Sequence, residues 1–211
     1  MKVRTRQLML LPTPTRWLLH GTRYLLFITG IVALSYVGFS LLDARLYQVW
    51  AKRSLANQIR VEQKPSVTQI KLAVKAGDLL GRIDIPRLGV SVAVLQGTNS
   101  RMLRLGAGHI EGTPLPGEPG NSGIAGHRDT FFRGLKDVRR NDKIEFQTAT
   151  GLFRYQVDWA KVVAPDDTSV LANSSESALT LVTCYPFYFV GPAPNRFAVR
   201  ATQVLPSGTP R

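Results

Sequence analysis

An all-β domain of the barrel or sandwich kind, carried behind one membrane-spanning helix, is the architecture this sequence predicts. Two observations carry that expectation. Residues 24–42, YLLFITGIVALSYVGFSLL, form an uncharged apolar run, and a bilayer core needs roughly 20 apolar residues in a helix. From Gly77 onward, short β-branched runs are punctuated by turn residues, a spacing that suits barrels and sandwiches.

The elements follow in chain order. Residues 1–23 are a basic tail with five Lys/Arg and no acid. Residues 24–42 are the span, with no small-residue cleavage site after it, so an uncleaved anchor is expected. In 43–63, Leu46, Val49, Trp50 and Arg53 recur at helical spacing. Lys64-Pro65-Ser66 stops that helix, and the whole of 43–76 reads as a helical and extended linker. The β domain occupies 77–204. LLGRIDIP and VSVAVLQG are strands split by Pro86-Arg87-Leu88-Gly89. SRMLRLGAG is a short helical insertion, GAGHIEG is turn-rich, SGIAGH is a strand, and FFRGLKDV is a second helical insertion. KIEFQT and FRYQVDWAKVV are strands split by Ala149-Thr150-Gly151, and ALTLVTC and RFAVRATQV complete the domain. The final 205–211, LPSGTPR, read as a flexible tail.

Charge and composition exclude several classes. The net charge is +13, but most of it flanks the apolar run. Residues 43–75 carry seven Lys/Arg against two acids, whereas 76–211 carry fifteen against twelve. The excess therefore sits where anionic lipid headgroups attract it, and no basic stripe with interleaved aromatics points to nucleic acid. Four basic residues lie within twenty residues of each end of the span, so charge alone leaves orientation open. The single cysteine excludes a disulfide scaffold. Three histidines, one cysteine and no C-x-x-C or H-E-x-x-H spacing predict no metal site, and no Gly-rich phosphate loop is present. No cofactor is expected.

Three stretches carry candidate chemistry: IAGHRDTFF around His127, TLVTC ending at Cys184, and NRFAVRA with Arg196 and Arg200. Each polar group stands at the end of an apolar strand. Each also has an ordinary reading: a small core thiol, a structural histidine, a solvated arginine. Arg196 and Arg200 share strand parity and lie about 13 Å apart, so only one serves Cys184. Arg128 is a reserve candidate, and His109 is a weaker rival to His127. Papain-like enzymes and cell-wall amidases place the cysteine before the histidine, and this chain reverses that order.

In the order His, Cys, Arg, these motifs resemble the sortases, membrane-anchored cysteine transpeptidases of bacterial surfaces. The resemblance covers about 77–204. TLxTC is matched by Thr180, Leu181, Thr183 and Cys184, AGH by Ala125, Gly126 and His127, and the downstream arginine by Arg196. GAGHIEG, GHRDTFF and TCYPFYFVGPAPNRF are most similar to class D members. The resemblance implies a closed eight-stranded β-barrel. It implies that Cys184 cleaves an LPxTG-like sorting signal of exported proteins between Thr and Gly through a thioester. The acyl group would then pass to an amine such as a peptidoglycan precursor. It also implies an N-terminus in the cytoplasm and a catalytic domain outside the cell membrane.

The chemistry is coherent with those roles. A thioester needs a thiolate, of which a free cysteine has only a few per cent at neutral pH. His127 can protonate the leaving amine and deprotonate the incoming one. An arginine fork supplies charged donors to an oxyanion. Thr183 is expected to meet the substrate backbone. Tyr185 and Pro186, in a run with four aromatics and three prolines, are expected to wall an apolar Leu-Pro segment. In the stretch just before His127 only Glu111 and Glu118 are acidic, too few for the acidic cluster that binds calcium in some sortases. Two alternatives stay open. One is a pilin-polymerising sortase with a lysine acceptor, although 64–77 lack the Asp-Pro-aromatic plug of a lid. The other is an inert anchored β domain that binds exported proteins.

Overall fold

The computed structural model describes residues 13–62 and 74–204. The stop at 64–66, most of the connector and the tail 205–211 lie outside the described residues. Contacts divide the chain into two units, 1–43 and 44–211.

Helix α1 (Thr13–Glu62) is continuous, and its segment His20–Asn57 is long and apolar enough to cross a membrane. Tyr24, Leu25, Leu26, Phe27 and Leu34 are all more than half exposed.

Residues 79–203 build a closed barrel of eight strands in the order β1-β2-β3-β4-β7-β8-β6-β5. β1 (Leu79–Ile85) and β2 (Val90–Gln96) form an antiparallel hairpin. Ile83, Ile85, Val92 and Val94 are fully buried while Arg82, Asp84 and Ser91 face out, the period-2 alternation of a one-sided strand. The hairpin turns through Pro86–Leu88 and ends on Gly89 at φ 63°, a left-handed position that favours glycine. Helix α2 (Ser100–Leu105) is capped by Asn99, whose side chain accepts from the amides of Arg101 and Met102. β4 (Asn121–Ala125), β5 (Lys143–Gln147), β6 (Leu152–Val163), β7 (Ala178–Tyr185) and β8 (Asn195–Gln203) match the predicted runs within a few residues.

The difference from the sequence reading is β3 (Ala107–His109), which lies in the stretch read as turn-rich. Its three residues are too few to show alternation, yet β3 closes the wall between β2 and β4. A Cβ on Gly108 would stand 2.3 Å from the Gly97 carbonyl oxygen, so the pairing needs glycine there.

Inside the barrel, Phe132, Phe146, Tyr155, Leu179, Leu181 and Val199 meet in one core. Residues 44–57 of α1 belong with this unit rather than with a free linker. Gln48 accepts from the Ala93 amide at 2.9 Å and donates to Leu105 O at 2.5 Å, and Ala51 and Leu55 are 3% exposed. Deleting residues 1–63 therefore strips two backbone groups of their partners. That truncation is expected to be about 2–4 kcal/mol less stable than one lacking only 1–43. Equal urea midpoints for the two would contradict the docking.

A second tie fixes the base of the β5–β6 hairpin. The Arg87 guanidinium pairs with both oxygens of the buried Asp142 at 2.5 Å, and the Arg139 amide donates to the same carboxylate at 2.7 Å. The hydrogen bond from Arg87 holds the Asp142 carboxyl below the usual carboxylate range. The resulting stability is present above the unfolded value near 3.9 and is lost as pH falls through the lower folded value. Solvent reaches Arg87 and screens the pair, so the contribution is small. Thermal unfolding of Asp142→Asn should show a flatter acid limb below about pH 4. An acid limb identical to that of the wild type would refute the tie.

Candidate active site

The site is assembled from the parallel pair β4 and β7 and the antiparallel pair β7 and β8. Successive strand residues face opposite sides, and Leu179, Leu181 and Val199 point into the core. Cys184 and Arg196 have the other parity and stand on the outer face. They are direct cross-strand partners, which brings Cβ atoms to about 5 Å. On β4, Gly123 pairs with Thr180 and Ala125 with Val182. The Gly126 amide continues the ladder to Val182 O at 3.0 Å. β4 ends at Ala125, and His127 lies two residues beyond it, as Cys184 lies two residues beyond its partner Val182. Cys184 and Arg196 thus stand side by side on β7 and β8, and the β4 register carried two residues past Ala125 extends their row to His127. His127 is exposed, and Cys184 and Arg196 are half-buried.

The register is fixed beneath this row. Thr180 Oγ1 donates to Asn121 Oδ1 at 2.7 Å, and Asn121 Nδ2 donates to Val170 O and Ala172 O. Asn121 and Thr180 are both fully buried, so slipping β4 against β7 would leave several polar groups unpaired. The turn Thr168–Leu171 thereby covers the Thr180 end of the outer face.

Thr183 is placed differently from expectation. It has the inward parity, is 2% exposed, and its hydroxyl donates to Gly126 O at 2.7 Å. It ties the residue before Cys184 to the residue before His127. Tyr185 also turns inward, into an aromatic cluster with Phe187 and Phe197 at centroid distances of 6.0 and 6.1 Å. Pro186, joined to Tyr185 by a cis peptide, is half-buried at the start of the β7–β8 loop.

The GHRDTFF motif has a packing reason. The Phe132 amide donates to His127 O at 3.0 Å, folding the chain back so that the Phe132 ring, fully buried, lies under Gly126. A Cβ on Gly126 would stand 2.6–2.9 Å from that ring. Gly126→Ala is expected to destabilise the protein by about 1–3 kcal/mol. An unchanged melting temperature would show that the contact is relaxed easily.

The rival residues are occupied elsewhere. His109 is buried, 2.9 Å from the Gln96 side-chain amide by Nδ1 and 3.0 Å from Pro114 O by Nε2. Burial pushes its pKa down against the opposing pull of the Pro114 carbonyl, and its two ring contacts brace the β3–β4 loop. Arg200 pairs with Thr180, four residues along β8 from Arg196. Arg128 Nη2 donates to the carbonyls of Phe189 and Gly191. Asp129 is exposed. Among the described residues, no group of three or more His, Cys, Asp or Glu could hold a metal ion.

Comparison with known proteins identifies relatives of the fold and of the chain. The profile of the Sortase domain family matches residues 83–204. The chain is 32% identical over 185 residues to a protein named Sortase D of Bacillus subtilis, covering 83% of this chain and 93% of that one. A Clostridium perfringens Sortase D5 transpeptidase superposes with a TM-score of 0.62 at 28% identity, over 77% of this chain and 98% of that one. A C. perfringens sortase C solved with the C-terminal cell wall sorting motif gives a TM-score of 0.59 at 26% identity, over 77% and 88%.

Proposed function

This chain belongs to the sortase family of cysteine transpeptidases, and on that premise we propose that it is a membrane-anchored, class D-like enzyme that joins exported proteins to a cell-wall amine. The observation that supports the reading is the cross-strand pair of Cys184 and Arg196, with His127 two residues beyond the β4 residue that pairs with Val182. Cys184 Sγ attacks the Thr carbonyl of an LPxTG-like signal. The tetrahedral oxyanion accepts hydrogen bonds from Arg196, whose fork is steadied by Nη1 bonds to Asn195 O and Ala193 O. His127 delivers a proton to the departing glycine amine, leaving a thioester, and later takes one from the acceptor amine.

The anchor reading rests on the exposed apolar helix. Substrate and acceptor chemistry place the barrel outside the membrane and the N-terminus in the cytoplasm. The test is product analysis with the full chain in detergent micelles, a library of LPxTG-like peptides and several primary amines. Cleavage between Thr and Gly with amide formation is the expected result. No cleavage of any peptide would overturn the reading and favour the inert binding domain. Strong preference for lysine side chains would favour pilin polymerisation.

A further inference from the structure

The β7–β8 loop, residues 186–194, joins the strand of Cys184 to the strand of Arg196. It exposes a run of apolar side chains: Tyr188 at 73%, Phe189 at 44% and Val190 at 96%. Two cations from the segment that follows His127 hold it. Arg128 Nη2 donates to Phe189 O at 2.7 Å and to Gly191 O at 3.1 Å, and its guanidinium lies 5.9 Å from the Phe189 ring centroid. Lys136 Nζ lies 5.8 Å from the Tyr188 ring. Arg128 is half-buried, yet its Nη1 is enclosed without a hydrogen-bond acceptor among the described residues. Buried polar groups that serve the fold alone are normally satisfied. One guanidinium, adjacent in sequence to His127, thus fixes the loop that bridges the other two members of the row.

We propose that Arg128 is a positioning residue that holds the apolar loop beside the Cys184 thioester, limiting water and thereby setting the ratio of amine transfer to hydrolysis. This rests on the reading under Proposed function. The two outcomes differ only in the nucleophile. An amine nitrogen or a water oxygen attacks the thioester carbonyl, a C–N or C–O bond forms, and the C–S bond breaks. The nucleophile's proton is taken by His127, and the electron pair stays on the Cys184 thiolate. Both products leave from the same acyl-enzyme, so their ratio does not depend on how fast that intermediate forms. An ordered apolar wall slows water, whereas a loose loop admits it.

The test uses the full chain in detergent micelles with one cleavable LPxTG-like peptide and triglycine as the amine. Free acid and amide products are quantified by mass spectrometry. Arg128→Ala should raise the acid-to-amide ratio by about tenfold, with faster amide hydrogen exchange in 187–191. Arg128→Lys should recover only part of the ratio, because an ammonium cannot reproduce the planar fork across two carbonyls. Arg133→Ala, on the exposed side of the same segment, should leave it unchanged. Faster exchange with an unchanged ratio would overturn the proposal. So would a shifted ratio with unchanged exchange, or an equal shift in Arg133→Ala. Absence of any acyl-enzyme in the unmodified protein would instead overturn the catalytic reading itself, and this proposal with it.

Discussion

Cys184→Ala is expected to abolish both peptide cleavage and amide formation while the barrel stays folded. The nucleophile is removed outright, and the row offers no second thiol, since Cys184 is the single cysteine of the chain. The structural effect is small because Cys184 stands on the outer face, half-buried, away from the core residues Leu179 and Leu181. The stability change should stay within about 1 kcal/mol. Cleavage retained in this variant would end the enzyme reading, because no other group on that face can form the thioester. Loss of cleavage together with loss of the fold would show that Cys184 supports packing. The same residue separates enzyme from inert domain by chemistry: a thiol on an open face should react with an alkylating reagent in the folded protein.

Arg196→Lys is expected to lose roughly 10²–10³ in acylation rate, the effect of removing one oxyanion donor. Lysine keeps the charge but lacks the planar fork that reaches an oxyanion while remaining tied to Asn195 O. Arg200→Ala is the matched control. Its partner across the ladder is Thr180 instead of Cys184, about 13 Å further along the strand, so acylation should change less than about threefold. Near-normal acylation in Arg196→Lys beside a large loss in Arg200→Ala would move the oxyanion role to Arg200. His127→Ala should differ from both, since it removes the proton carrier for leaving and entering amines.

Much of this architecture was legible in the sequence where side-chain periodicity is strong. Leu79–Ile85, Val90–Gln96 and Ala178–Tyr185 each carry enough β-branched or alternating residues to mark a strand. Ala107–His109 did not, because two small residues and a histidine have no alternation, and only the neighbours β2 and β4 make them a strand. Cys184 and Arg196 were legible at the ends of strands but not as partners across β7 and β8, and β4 stops at Ala125, two residues short of His127. Alignment depends on the parallel register of β4 on β7, locked by Asn121 and Thr180 from positions 59 residues apart. The inward parity of Thr183 and Tyr185 on β7 depends on where the core lies, which their own stretch of sequence does not reveal. Arg128 stood out only as a spare arginine, since its partners are backbone carbonyls of Phe189 and Gly191, which no residue pattern reveals.

The account rests most directly on the acyl-enzyme. The full chain in detergent micelles would be mixed with an LPxTG-like peptide without added amine, quenched in acid within the first turnover, and weighed intact. The predicted result is a mass increase equal to the peptide up to its Thr, mapped to Cys184, removed by hydroxylamine and lost in Cys184→Ala. An adduct elsewhere, or cleaved peptide with an unmodified Cys184 at every quench time, would contradict it.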